Sequence, residues 1–505
     1  MWFLYDNIAA IAAAALNCVL AWLFGGTMPE TLLPTVPWML FLLAETMLCF
    51  PQRHGGESVY EARERTWYRM KRDPAVWLAL LLMLLLCVPF FNTGLCAVCN
   101  LDAIVKGAPE APPVPFLPYC LNRTEHFNVV LWFASAMTAA VAVRHALVKQ
   151  GKRFVLELIV YNGLFLSLVG VLQQTTDAAF PLWQDAYAKG RKWYFFSTFG
   201  YPNMGGDYFT SLFGIAMALW CHRVEAAAAE EDEGDKDTPR KTSNAIFWRK
   251  HFMAVPALVF FLSAYATKSR AAVVFVSVLA VLMLLHMAMR SFVRFDRAGK
   301  VKALAVFAAA ATAIVLAGAF FIPQDIRRDM SVTTGIEAAD RLTGRTDLPI
   351  KAAIELLKKD FLFGCGGWGF KHKGPAVLPE EEYVRMVGSG GAANVHNDYL
   401  QFAVEHGLAG LALLTLVTIC LLRPVFSFWK GQLSTLRFRP PKTPLPKPAV
   451  LFAVPGPALF ILATMCATLV HALADCPLRS PAVLTLFFTM AAALTGFIPR
   501  VKRDE

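Results

Sequence analysis

Hydrophobic residues in this chain gather in long unbroken runs, not at the alternating or three-to-four spacing of a water-soluble fold. Apolar stretches occupy 3–24, 32–50, 75–91, 127–148, 154–172, 208–222, 251–267, 271–289, 303–322, 399–422, 449–472 and 481–498. A run of about 18 residues crosses a hydrocarbon core of roughly 30 Å. The pattern predicts an all-α polytopic membrane protein with about 12 transmembrane helices. Runs 208–222 and 251–267 are short for the purpose. No basic stretch precedes the first run and no small-residue cleavage site follows it, so that run is expected to be a retained helix.

The polar intervals divide the chain into 1–322 with helices one to nine, a long loop at 323–398, and 399–505 with helices ten to twelve and a tail. Residues 224–243 are acidic and read as a disordered loop. Residues 439–448 alternate Pro with Lys or Arg, as in an extended linker, and 108–118 form a Pro-rich loop. The long loop carries signals of order. Asp347 and Pro349 make a helix start, and Ile350, Ile354 and Leu357 recur at helical spacing between Lys351, Glu355, Lys358 and Lys359. This predicts an amphipathic helix, followed by a GCGGWGF turn at 364–370.

Charge orients the helices. The chain has 505 residues, 56% hydrophobic and 17% charged, with 48 Lys+Arg against 37 Asp+Glu. Loops 51–74, 144–153, 223–250, 290–302, 423–448 and the tail hold 30 of those cations, against 8 in the short loops of the opposite side. By the positive-inside tendency both termini are cytoplasmic and 323–398 faces outward. The net charge of +11 is then a topology signal and calls for no nucleic-acid partner.

The polar residues beside outward helix ends are the candidates for chemistry. Arg191 and Lys192 precede FSTFGYPN (196–203), Ser269 and Arg270 fill a very short loop, and Arg345 opens the amphipathic helix. His396, Asn397 and Asp398 open the tenth membrane helix, and HALADCPLRSP (471–481) joins the last two. A transporter would instead concentrate charge near the midplane of repeated halves. A lone Arg270 could be a snorkelling side chain, or a bidentate ligand for pyrophosphate. The scarcity of other outward cations favours the second. His396 is a candidate general base, since a neutral imidazole can accept a hydroxyl proton near pH 7; the alternative is an interfacial histidine capped by its neighbours. Glu405, about 13 Å further along the helix, is expected to bond a neighbouring helix. Gly364, Gly366 and Gly369 fit G-x-G-x-x-G, but the motif follows a helix outside any βαβ unit and reads as a sharp turn, not a nucleotide site. Six cysteines fall in apolar runs; Cys96, Cys99 and Cys120 share one outward loop where a disulfide is conceivable and a zinc site lacks a fourth ligand.

These segments together resemble the O-antigen ligase family, the polytopic glycan ligases and polymerases of the bacterial envelope. The resemblance rests on FSTFGYPN, TKSRAA (267–272), GRTDLPIKAAIELLKKDFLFGCGGWGF (344–370) with VHNDYLQFAVEHGLAG (395–410), and HALADCPL (471–478). It implies an inner-membrane glycosyltransferase that moves a glycan from undecaprenyl pyrophosphate to an acceptor hydroxyl; the outward loops hold no D-x-D pair, so no metal or other cofactor is expected. By position, Arg270 and Arg345 would hold pyrophosphate and His396 would activate the acceptor. Arg191 or Lys192 would assist, and Asn203, Asn397, Asp398 and Tyr399 would contact substrate. The acceptor expected is lipid A-core, with a growing glycan or a protein hydroxyl as alternatives and a solute transporter as the alternative of another class. Phe361, Leu362, Phe363 and bulky Trp368 depart from the usual proline and small residue around the glycine turn.

Overall fold

The computed structural model describes residues 2–23, 25, 33, 35–42, 50–94, 112–176, 195–233, 244–294, 312, 336–388, 393–437 and 455–498. These residues form a helical bundle; among them the only β contacts are two isolated bridges, Thr93 with Cys120 and Phe196 with Phe199. The bundle helices are α1 (Trp2–Trp22), α2 (Thr35–Phe41), α3 (Val59–Arg72), α4 (Pro74–Cys87), α5 (Arg123–Val141), α6 (Lys149–Thr176), α7 (Pro202–Glu233), α8 (Asn244–His251), α9 (Ala254–Ala266) and α10 (Arg270–Arg294). Then come α11 (Ile336–Lys359), α12 (Gly369–Lys373), α13 (Glu380–Gly388), α14 (Asp398–Arg437), α15 (Gly456–His471) and α16 (Pro481–Ala493). Five described stretches are long and apolar enough to cross a membrane: Pro74–Phe91, Arg123–Ala146, Lys149–Thr176, Arg270–Arg290 and Asp398–Gly431. α1, α15 and α16 are shorter apolar helices. The expected run at 303–322 lies outside the described residues apart from residue 312.

Two helices form the centre. Every residue of α16 is buried, and it packs on α5, α1 and α7. α7 in turn contacts α6, α9, α10 and α15. Close approach depends on missing side chains: a Cβ on Gly214 of α7 would meet Thr464 Oγ1 at 1.8 Å, and one on Gly163 of α6 would meet Leu212 at 2.5 Å. α7 also overruns its expected end. The acidic stretch begins as helix to Glu233, with only 234–243 outside the described residues. Ala and Glu are strong helix formers, so polarity there signalled the end of the apolar run and not the end of the helix.

One end of the bundle is basic. Arg144 pairs with Asp73 and donates to the carbonyls of Leu421 and Cys420 at 3.1 and 3.2 Å. Lys149 and Arg153 donate to the carbonyls of Ile498 and Gly496, and Lys152 to Thr495 Oγ1 at 2.6 Å. Lys149, Lys152 and Arg153 thus close the carbonyl end of α16, where the helix dipole is negative, while Arg144 meets carbonyls within α14.

At the opposite end α11–α13 build a second small core from Leu348, Ala352, Ala353, Leu356, Cys365, Phe370, Val395 and Val404. Two expectations fail here. α11 starts at Ile336 and runs through Pro349, whose missing N–H deprives the Arg345 carbonyl of its usual intrahelical donor. Its buried stripe is Leu348–Ala352–Leu356 with Ala353, whereas Ile354 is exposed. Two alanines let the helix lie close, which a search for large aliphatics overlooks.

The glycine turn explains how this cap is held. α14 is broken at Gly407, where φ is 69° and ψ 178°, a conformation open essentially to glycine. The break frees backbone groups on both sides, and 361–366 fills them. The N–H groups of Leu408 and Ala409 donate to the carbonyls of Phe361 and Leu362 at 2.9 and 3.1 Å, while Cys365 and Gly366 donate to Val404 and Glu405 at 3.0 and 2.8 Å. Gly364 and Gly366 adopt φ of +72° and +82° to make the approach. The expected sharp turn is real, but it seals a helix break.

Candidate active site

Four segments far apart in sequence meet at the cap end. FSTFGYPN folds as a tight turn closed by reciprocal Phe196 and Phe199 backbone bonds, with Ser197 at φ 58° and Thr198 Oγ1 donating to Ala21 O at 2.6 Å. The turn presents Tyr201 and Asn203 at the start of α7. The α9–α10 connection is equally tight. Ser269 caps α10 by accepting from Ala272 N at 3.2 Å, and Gly206 permits this, since its Cβ would lie 2.8 Å from that of Ser269.

These pieces form one hydrogen-bonded chain. Ser269 Oγ donates to Asn203 Oδ1 at 2.6 Å, and Asn203 Nδ2 donates to Asp475 Oδ2. Tyr201 OH lies 3.1 Å from both Asp475 oxygens. Asp475 Oδ1 accepts from Cys476 N at 2.8 Å and faces His396 Nδ1 at 3.2 Å. His396 adopts φ 56°, an uncommon left-handed conformation for a side chain of this size. Its ring is 32% exposed and the Asp475 carboxylate 11%, so the histidine is reachable and its partner is covered.

Electrostatics fit that order. Burial alone would raise the Asp475 carboxyl; the His396 hydrogen bond and charge, with the Cys476 N–H, outweigh it and hold the group at about 2. Burial, then the Asp475 charge, pushes the Tyr201 phenol above its ordinary range, so it stays a donor. An ionised carboxylate on Nδ1 favours the tautomer with Nδ1–H and leaves Nε2 free to accept a proton.

The remaining expected residues divide. Arg270 is exposed at the first position of α10, directly after Ser269. Asn397 caps α14 by accepting from Leu400 N at 3.0 Å and donates to Leu473 O at 3.0 Å. Asp398 Oδ2 accepts from Leu478 N at 2.8 Å, and Tyr399 OH donates to Leu469 O at 2.9 Å. These three side chains therefore clamp the 469–478 segment. Arg345 lies within α11, its side chain outside the described set, and Arg191 and Lys192 lie outside the described residues. Of the cysteine trio only Cys120 is described, buried with its Sγ 3.3 Å from Pro89 O.

Asp475 and Tyr201 were not singled out as site residues from sequence, and Ser269 was noted only as the neighbour of Arg270. Neither was a second pair beneath them, His471 and Asp207, 3.1 Å apart and joined by Thr468 at 2.9 Å. Glu405 does bond a neighbouring element: it receives Arg479 at 3.2 and 3.1 Å and Gln401 at 2.9 Å.

Residues 255–415 match the family model described as O-antigen ligase. That match runs from α9 into α14. The matched region spans Arg270, Arg345 and His396, and the ligase-family resemblance is borne out there. Asn203 and Asp475 lie outside it but complete the same hydrogen-bonded chain. No curated protein matches the chain.

Proposed function

We propose that the protein is an inner-membrane O-antigen ligase, transferring a glycan from undecaprenyl pyrophosphate to a hydroxyl of lipid A-core. The observation that carries this reading is the Ser269–Asn203–Asp475–His396 chain, which ends on a reachable imidazole and begins at Ser269, the residue before the exposed Arg270. His396 Nε2 takes the acceptor proton as the hydroxyl oxygen attacks the anomeric carbon. The bond to pyrophosphate breaks, and Arg270 and Arg345, assisted by Arg191 or Lys192, stabilise the charge that develops on the leaving group. One direct displacement inverts the anomeric centre. Asp475 is a positioning residue, holding the ring through Nδ1. Asn203, Asn397, Asp398 and Tyr399 shape the substrate cavity by fixing its walls. No step requires a metal ion.

In this reading residues 323–398 face the periplasm, both termini are cytoplasmic, and the basic end of the bundle lies at the cytoplasmic leaflet. A glycan polymerase and a protein O-oligosaccharyltransferase share the chemistry and differ in acceptor. Purified protein in liposomes, supplied with a lipid-pyrophosphate glycan and each acceptor in turn, tests the assignment. Transfer to lipid A-core is expected. Single-repeat products in a deletion strain would indicate a polymerase instead, and absence of transfer to every acceptor would return the question to transport.

A further inference from the structure

His396, Asp475 and Cys476 each offer a metal-ligating atom, and the three atoms lie within 4.8 Å of one another. Nitrogen, oxygen and sulfur donors are the ligand set of Zn²⁺, with bonds of about 2.0–2.1, 2.0–2.2 and 2.3 Å respectively. In a tetrahedron those lengths separate N from O by about 3.4 Å and S from O by about 3.6 Å. Here the two separations are 3.2 and 3.4 Å. Two edges of the coordination triangle are already near length, and the third closes as the His396 ring and the Cys476 side chain turn toward the same point.

The surroundings favour binding. Asp475 Oδ2 keeps Asn203, while Oδ1, which also accepts from the Cys476 N–H and Tyr201, faces the imidazole and the thiol. Asp475 and Cys476 are consecutive, and their turn is pinned by the Asp475 N to His471 O bond at 3.0 Å and the Leu478 N to Asp398 bond at 2.8 Å. Cys476 is 2% exposed, so its sulfur is withheld from bulk solvent, while the partly exposed His396 offers an entry route, and a water would complete the four ligands.

We infer that these three residues form a Zn²⁺ site that regulates transfer by occupying the base, an inference that rests on the role given to His396 above. Zn²⁺ takes the Nδ1 lone pair and the Cys476 thiolate. The thiol proton leaves to solvent, and the imidazole keeps its one proton on Nε2. With both ring nitrogens committed, His396 has no lone pair for the acceptor proton, and transfer stops until the ion is removed. A chelator leaves the metal-free enzyme unchanged and reverses the inhibited one.

Full-length protein in liposomes is titrated with Zn²⁺, binding being read by competition with a chromophoric chelator, and with Co²⁺ as a spectroscopic probe. One ion per chain is expected, with a near-ultraviolet thiolate-to-cobalt charge-transfer band that is lost in Cys476→Ser and in Cys476→Ala. Both variants should transfer glycan normally and require roughly tenfold or more Zn²⁺ for inhibition. Absence of the band in the parent protein, or equal Zn²⁺ sensitivity in the parent and both variants, would overturn the site. A bound ion with the band present but full transfer would overturn the regulatory claim. Failure of the base assignment shows separately, as a His396→Ala protein that still transfers glycan while the cobalt band of the parent persists.

Discussion

Two side-chain pairs join the start of α14 to the turn before α16, and they are built for opposite ends. His396 meets Asp475 with its ring 32% exposed, at the end of a polar chain that leads to the α10 N-terminus and Arg270. Nine residues along, Glu405 meets Arg479 with both side chains 9% exposed or less. The Arg479 guanidinium stacks on Trp368 at 4.0 Å and also lies 5.7 Å from Trp132. The first pair can exchange a proton with an incoming molecule; the second is closed to one. A buried pair contributes little net stability over a well-packed apolar replacement, yet losing one partner strands a charge and is costly. The comparison teaches that exposure, not residue type, separates the working pair from the fastening pair.

Breaking the sealed pair should have the largest effect on the molecule as a whole. Glu405→Gln leaves Arg479 uncompensated and is expected to cost about 3–5 kcal/mol, read as a lowered melting temperature in detergent and poor recovery of folded protein. Gly407→Ala comes next. Alanine must adopt a glycine-only conformation at about 1–3 kcal/mol, and its Cβ would sit 2.1 Å from the Leu362 carbonyl oxygen. The cap should loosen, with faster hydrogen exchange at Cys365 and Gly366, whose amides donate across the break.

The exposed pair should respond differently. Asp475→Asn removes the group that orients the imidazole, lowering turnover about tenfold while KM changes little. Its stability effect has a defined sign with pH. A carboxyl depressed to about 2 in the folded protein contributes stability above the ordinary carboxylate range, and that contribution is lost as pH falls toward 2. The Asn variant should therefore be less stable than the parent at neutral pH, and the gap should narrow in acid.

Much of this arrangement was legible beforehand, and the reasons for the remainder are physical. The apolar runs marked the helices because lipid demands continuous apolar sequence. His396 and Arg270 stood out as polar residues at helix ends. Asp475 did not, although its segment was noted, because nothing in one sequence joins residues 79 positions apart. Asn203, Asn397, Asp398 and Tyr399 were identified as polar groups near the site, but sequence could not show that their side chains are already engaged by Asp475, Leu473, Leu478 and Leu469. The buried face of α11 was misplaced because alanines 352 and 353 do the packing. The break at Gly407 was not marked by the apolar run through it, and the element that approaches there is the 361–366 turn.

The central claim is that His396 is the base and that its role is separable from the fold. Transfer of glycan by purified His396→Ala in liposomes, normalised to folded protein by size-exclusion recovery and melting temperature, tests it most directly. The expected result is a loss of about 10²–10⁴-fold in turnover with melting temperature close to that of the parent. Turnover within a few-fold of the parent, at equal folded fraction, would contradict it.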